Sequence, residues 1–217
     1  MKKITAFLLF AALTLCMFFF TSCGDSLEQY VYKDGKIVSE DSSKSYIAAP
    51  MGFQPCGVGQ KCAVRDGAFD LYQVQDINGK NISVDEWMTE EYAGSATSVY
   101  YRDTLTLPSF SEIDYDVCYV CEEDTTVVSI ATIEDKDIIG TLISRIANGD
   151  SSFPTLDEPT TVYKLKFYSA EYPSVFYSID YLIFEDGAYL FNRGTRTYAE
   201  ASSLIDGYID SAESTSK

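Results

Sequence analysis

Residues 175–184, Val-Phe-Tyr-Ser-Ile-Asp-Tyr-Leu-Ile-Phe, give the most direct indication of the fold. Alternate residues of an extended strand point to opposite faces. Val175 and Tyr177 therefore share one face with other apolar residues. The opposite face carries Phe176 and Leu182. Because a strand that is apolar on both faces is normally covered on both sides, we predict that residues 175–184 form a central strand of a sheet.

Strand patterns and turn signals continue on both sides of this stretch. Residues 162–168 place Lys164 and Lys166 on one face and apolar side chains on the other, which predicts a strand with one face in water. Two Asp-Gly pairs, at 34–35 and 186–187, lie between apolar runs and predict hairpins. The further strand candidates are residues 69–74, 98–101, 117–121, 125–133 and 189–192.

Three segments have helical patterns. Residues 83–92 begin with a capping-box pair, Ser83 and Glu86. Residues 135–147 carry an apolar stripe at helical spacing, and residues 201–209 repeat that spacing. Strands interleaved with about three helices, without a regular strand-helix alternation, predict an α+β fold with a mostly antiparallel sheet.

Composition excludes several classes of function. The 217 residues include 33 acidic and 16 basic residues, a net charge of −17, and no histidine. Because phosphate contacts need Lys or Arg, we expect no nucleic-acid partner. Without an imidazole, Ser-His-Asp and Cys-His catalysis and histidine metal sites are excluded. The 46% of hydrophobic residues predicts a folded chain. We expect most of the seventeen tyrosines in the core, with a recognition surface as the alternative.

The N-terminus has the pattern of an export signal. Lys2 and Lys3 precede seventeen uncharged residues, 4–20, and Thr21-Ser22-Cys23 follow. The segment from Phe20 to Cys23 resembles the lipobox of bacterial lipoproteins, although Phe20 stands where leucine is usual. The resemblance implies a signal peptide at 1–22 and lipid attachment at Cys23, so the rest of the chain would be extracytoplasmic and anchored to the cell membrane. An uncleaved transmembrane anchor is the alternative.

We predict three segments in the rest of the chain. Residues 23–29 would be the lipidated N-terminus and a short tether, residues 30–210 a single α+β domain, and residues 211–217 a disordered tail. Two similar halves split near residue 113 are the alternative to one domain. Loss of Lys2 and Lys3 leaves 14 basic and 33 acidic residues, a net charge of −19, which an anionic lipid surface would repel.

Four further cysteines allow several interpretations. We predict a possible disulfide between Cys56 and Cys62, because two glycines would let the segment between them turn back. A zinc site formed by Cys56, Cys62, Cys118 and Cys121 is an alternative, since tetrahedral thiolate sites combine two cysteine pairs. Cys118 and Cys121 could also form a redox dithiol. The remaining possibility is that all four are unpaired and packed as small apolar residues.

No motif in the sequence assigns a catalytic residue or a cofactor. The chain after the lipobox is similar to small lipoproteins of Gram-positive gut bacteria, a resemblance that implies no activity. The leading hypothesis is therefore a membrane-anchored lipoprotein that binds an extracellular ligand or protein without catalysis. The alternatives are a histidine-free, carboxylate-based hydrolase acting on glycans, and a structural protein of envelope assembly.

Overall fold

The structure, a computed structural model, describes residues 27–92, 95–122, 129–152 and 158–215. Within these ranges the chain forms fourteen β-strands, two α-helices and one 3₁₀-helix, Phe110–Glu112. The helices are α1 (Lys136–Ala147) and α2 (Asp206–Thr215). In chain order the strands are β1 (Glu28–Lys33), β2 (Lys36–Ser39), β3 (Ser45–Ala48), β4 (Phe53–Pro55), β5 (Gly57–Arg65), β6 (Phe69–Gln75), β7 (Trp87–Tyr92), β8 (Ser95–Arg102), β9 (Val117–Cys121), β10 (Ser129–Ile133), β11 (Thr161–Tyr168), β12 (Val175–Phe184), β13 (Gly187–Asn192) and β14 (Thr197–Glu200).

Seven strands from the first half of the chain close into a barrel. Their order is β1-β2-β3-β8-β7-β6-β5, and the parallel pairing of β1 with β5 completes the circle. The other barrel pairs are antiparallel. The barrel has its own interior, in which the rings of Tyr30 and Tyr46 meet edge to face at 5.7 Å. The rest of this interior consists of Ile37, Ala63, Leu71, Met88 and Tyr100.

The second sheet has the strand order β10-β9-β11-β12-β13-β14. β12 pairs with β11 along its length, with β4 at its first residues and with β13 at its last residues. Nine of its ten residues are buried. The prediction of a covered central strand at residues 175–184 is therefore confirmed.

The fold class differs from the prediction. The described chain is mostly β, with a closed barrel and two α-helices, so the prediction of an α+β fold with about three helices is wrong. The main error lies at residues 83–92, where we expected a helix. Ser83 accepts hydrogen bonds from the backbone of Glu86 and Trp87, which makes one turn, and β7 then begins. Trp87 belongs to the larger buried cluster, which includes Tyr177 of β12 and Leu142 of α1 and which we call the main core. Met88 faces the barrel interior instead, and this alternation of neighbouring residues has a period of two that a helix cannot provide.

The helix predicted at residues 135–147 is confirmed as α1. The Asp135 carboxylate caps it by accepting hydrogen bonds from the backbone N–H groups of Asp137 and Ile138, and the helix ends at Asn148. Its buried stripe is Ile139, Leu142, Ile143 and Ile146. The last helix starts later than expected, at Asp206, and continues to Thr215. Most of the segment 211–217, expected to be a disordered tail, is therefore helical, and residues 216–217 lie outside the described ranges.

β4 connects the barrel to the second sheet. After β3 the chain leaves the barrel, pairs with β12 and returns as β5. Gly52 has φ +110°, and a Cβ there would lie 2.7 Å from the Tyr177 ring. The turn can therefore approach β12 closely only because residue 52 is glycine.

The predicted signal peptide at 1–22 and the lipid attachment site Cys23 lie outside the described residues. In the part of the chain that the structure describes, no helix combines the length and the apolar character needed to cross a bilayer.

Candidate functional site

A cleft of about 520 Å³ lies where the barrel meets the second sheet. Residues 49–55 form one side, Ser98 and Val99 of β8 line the barrel side, and Ser178 and Asp180 of β12 contribute the sheet side. Arg193, which follows β13, also lines it. We call this space the barrel–sheet cleft. Its volume is in the range of pockets that hold small molecules.

Asp180 is the centre of a buried charge cluster in the cleft. One carboxylate oxygen accepts a hydrogen bond from Lys164 Nζ at 2.6 Å, and the other accepts one from Arg193 Nε at 2.8 Å. The Lys164 and Asp180 side chains are each 7% exposed, whereas that of Arg193 is 52% exposed. Lys164 and Asp180 are direct cross-strand partners on β11 and β12. The cluster thus joins a buried ion pair to a guanidinium that reaches the solvent.

Hydrogen bonds from both backbone and side-chain atoms hold the two loops that line the cleft. Ser178 N–H donates to the Gly52 carbonyl at 2.8 Å. Asn192 Oδ1 accepts hydrogen bonds from Tyr177 Oη and from Gly194 N–H, each at 2.9 Å. A Cβ on Gly194 would lie 2.1 Å from the Met51 carbonyl oxygen, so the two loops are in direct contact. The cleft is therefore pre-formed on both of its loop walls.

Asp180 was not among the candidate residues from the sequence, but a signal was present. It lies in a ten-residue strand that the sequence predicted to be buried on both faces. A carboxylate there needs a partner, because an uncompensated buried charge is strongly unfavourable. Lys164 lies in the adjacent strand β11, whose lysine face we expected in water; that expectation is wrong, because Lys164 and Lys166 are both buried. Arg193 follows a hairpin and has no sequence pattern that would have identified it.

The cysteines do not gather at one place. All four, Cys56, Cys62, Cys118 and Cys121, are free thiols in the structure. The segment between Cys56 and Cys62, where we expected a turn, is the extended strand β5. In the described residues no three side chains among Cys, Asp and Glu lie close enough together to hold a metal ion, so the structure does not assemble the four-cysteine zinc site.

Burial suppresses the reactivity of these thiols. It raises the pKa of Cys62 to about 11 and that of Cys118 well above its ordinary value. It also raises the pKa of Cys56 and Cys121, where the nearby Lys166 ammonium acts in the opposite direction. Cys118 and Cys121 are both buried on β9 rather than at a helix N-terminus. This environment disfavours the thiolate that a redox dithiol would need.

Comparison with known proteins adds one partial similarity. No family model matches the chain, and no solved structure matches it. It is 29% identical over 140 residues to a glycogen synthase of Clostridium novyi (strain NT). The match covers 63% of this chain and 25% of that protein. The chain thus corresponds to about a quarter of the relative that it matches.

Proposed function

We propose that this chain is an extracytoplasmic lipoprotein, anchored to the cell membrane by lipid on Cys23, and that its barrel–sheet cleft binds a small ligand without converting it. The observation that carries the binding role is the pre-formed cleft with its charge cluster. Loops from two sheets wall the cleft, and Asp180 is fixed inside it by two cations. The basic N-terminus, the uncharged stretch 4–20 and the lipobox residues support the anchor.

The exposed guanidinium of Arg193 favours an anionic ligand. Arg193 is the solvent-reaching cation of the cluster, and a guanidinium binds a carboxylate or a phosphate in two-point geometry. Asp180 accepts hydrogen bonds from both Lys164 and Arg193, which places this guanidinium at the cleft. A small carboxylate or phosphate ester fits this arrangement.

Binding is a better fit than catalysis at this cleft. Asp180 is the one carboxylate among the described lining residues, and both of its oxygens accept hydrogen bonds from cations. The sequence has no histidine to supply a proton-transfer group instead.

The carboxylate-based hydrolase remains the second proposal because a separate acidic groove exists. Residues of the β12–β13 hairpin and of α2 line a groove of about 500 Å³. Its carboxylates include Glu185, Glu200 and Asp206, and Tyr181 Oη donates to Asp206 Oδ1 at 2.7 Å. A pair of carboxyl groups is the minimum for glycoside hydrolysis. Release of reducing sugar from a glycan panel that includes glycogen, abolished in Asp206→Asn, would establish this second function in place of simple binding.

The anchor is tested by mass and by fractionation. The intact mass of the membrane-extracted protein should equal that of residues 23–217 plus acyl groups, and Cys23→Ser should release the protein from the membrane fraction. An unmodified mass that still begins at Met1 would refute lipidation. Cys16→Ser is the matched control, because Cys16 also lies in the N-terminal segment and should not affect the anchor.

The binding role is tested with a panel of small carboxylates and phosphate esters. We expect at least one of them to raise the melting temperature of the full chain in a saturable way, and Arg193→Gln to remove that shift. Lys61→Gln is the control, since Lys61 forms an exposed ion pair with Asp70 on the barrel. No shift with any anion, or an equal shift in Arg193→Gln, would contradict the proposal. A stably co-purifying membrane protein in place of a small ligand would indicate the structural role.

A further inference from the structure

A second, smaller pocket lies on the outer wall of the barrel, separate from the barrel–sheet cleft. Its volume is about 210 Å³. Trp87 and Tyr101 of the barrel line one side, and the turn between β11 and β12, which contains Tyr172, lines the other. We call this space the aromatic pocket. Pockets for drug-sized ligands measure roughly 300–1,000 Å³, so this one suits a smaller molecule.

The aromatic residues of the pocket are packed against the main core. Trp87 and Tyr101 are direct cross-strand partners on β7 and β8, with ring centroids 5.7 Å apart and planes inclined at 39°. Trp87 is 6% exposed and belongs to the main core, against which Tyr101 also packs. Tyr172 packs against the same core from the sheet side. The rings are therefore in place before any ligand arrives.

The polar groups of the pocket are mainly acidic. The exposed residues Glu86 and Glu171 both line it, and among its described lining residues there is no lysine or arginine. Partial burial and the adjacent Glu171 carboxylate raise the pKa of Tyr172. The electrostatic potential in the pocket thus favours a positive charge over a negative one.

The remaining lining is largely apolar. Leu105, Leu107 and Pro173 contribute hydrocarbon surface. Such walls suit the alkyl groups of a substituted ammonium, which makes no obligatory hydrogen bonds. A sugar ring carries hydroxyl groups on all sides, and those that faced these apolar walls would lose their hydrogen bonds to water.

From this combination we infer that the aromatic pocket binds a small organic cation, an alkylated ammonium group held against Trp87, Tyr101 and Tyr172 with Glu86 and Glu171 as counter-charges. A cation is attracted to the face of an aromatic ring, most strongly to tryptophan. The excess of acidic residues raises the local concentration of such cations further. This inference does not depend on the anion site in the barrel–sheet cleft, because the described lining residues of the two sites are different.

Choline and its neutral carbon analogue 3,3-dimethylbutan-1-ol form a matched pair of probes, because they have nearly the same shape and differ in charge. The full chain, in a polyoxyethylene detergent without choline or sugar groups, is titrated with each, and the fluorescence of Trp87, the one tryptophan of the sequence, is recorded. We expect a saturable change with choline and at least about tenfold weaker binding of the neutral analogue. Equal binding of the two, or binding of a monosaccharide and not of choline, would overturn the inference.

Substitutions in the aromatic pocket test whether choline binds there. Tyr172→Leu should weaken choline binding about tenfold, whereas Tyr172→Phe, which keeps the ring, should stay within about threefold of the natural protein. Glu171→Gln should weaken binding and reduce its dependence on salt. Tyr32→Leu is the control, because Tyr32 is 58% exposed on β1 and lies outside the pocket. Unchanged binding in Tyr172→Leu, with an unaltered melting temperature, would refute this assignment.

Discussion

Substitution of Asp180 provides a direct test of the charge cluster. Asp180→Asn keeps the shape of the side chain and removes the charge that Lys164 Nζ contacts at 2.6 Å and Arg193 Nε at 2.8 Å. Because the Lys164 and Asp180 side chains are each 7% exposed, water cannot replace the lost carboxylate efficiently. Removal of one partner from a buried ion pair costs about 3–5 kcal/mol. We therefore expect the free energy of unfolding to fall by about that amount.

The measurement is urea denaturation of the full chain, followed by Trp87 fluorescence and by circular dichroism. For a chain of this length about 1 kcal/mol corresponds to roughly 2–4 °C, so the melting temperature should fall by roughly 6–20 °C. Coincident transitions by the two probes and an unchanged urea slope would show that stability, and not the unfolding mechanism, had changed.

Two control variants show whether the loss of stability comes from leaving a buried charge without its partner. Arg193→Gln removes a partner of Asp180 that is 52% exposed, and exposed ion pairs contribute about 0–1 kcal/mol. The double variant Lys164→Met with Asp180→Leu removes both buried charges and should be close to neutral. If Asp180→Asn were no less stable than Arg193→Gln, the claim that a buried ion pair organises the cleft would be refuted.

Three further predictions concern other parts of the chain. Gly194→Ala should destabilise the fold by about 1–3 kcal/mol in thermal melts, because the new Cβ would meet the Met51 carbonyl oxygen. Gly140→Ala in α1 should stabilise the fold by about 0.5–1 kcal/mol, because no atom lies within 4 Å of the new Cβ. The opposite order of the two stabilities would contradict the contact between the loops. Burial raises the pKa of Tyr177 to about 12, whereas a tyrosine in the unfolded chain ionises near pH 10. The free energy of unfolding should therefore fall as the pH rises from about 10 to about 12. Melting temperatures that stay constant over that range would argue against buried tyrosines. With a pKa of about 11, Cys62 is about 0.1% thiolate at pH 8. A thiol reagent should therefore label Cys62 at least about a hundredfold more slowly in the folded protein than in urea. Equal labelling rates would contradict the burial of this thiol.

The sequence predicted those elements whose signals are local. The helix at 135–147 has its cap, its apolar stripe and its stop within one short segment. The two Asp-Gly pairs do form hairpins, β1–β2 and β12–β13, since a hairpin needs only adjacent strands and a suitable turn. At residues 83–92 the capping-box pair was equally local, but it makes a single turn, and the contacts of Trp87 with one core and Met88 with another decide the structure.

The barrel could not be predicted in the same way. Its closure depends on the parallel pairing of β1 with β5, in which Glu28 lies opposite Ala63. Nothing in either segment alone specifies a partner at that separation in sequence. β4 was also missed, because Phe53–Pro55 is short and contains a proline, and it becomes a strand only through its pairing with β12. Long-range pairing therefore turned the expected α+β fold into a barrel joined to a second sheet.

The same reasoning explains why neither binding site has a sequence motif. The barrel–sheet cleft combines residues 49–55 with Asp180 and Arg193, and the aromatic pocket combines Trp87 with Tyr172. In both sites one wall belongs to the barrel and the other to the second sheet. Trp87 and Val99, on the outer wall of the barrel, lie in the same buried cluster as Tyr177 of β12. A ligand in either site would therefore contact both the barrel and the second sheet. Its binding would stabilise the interface between them.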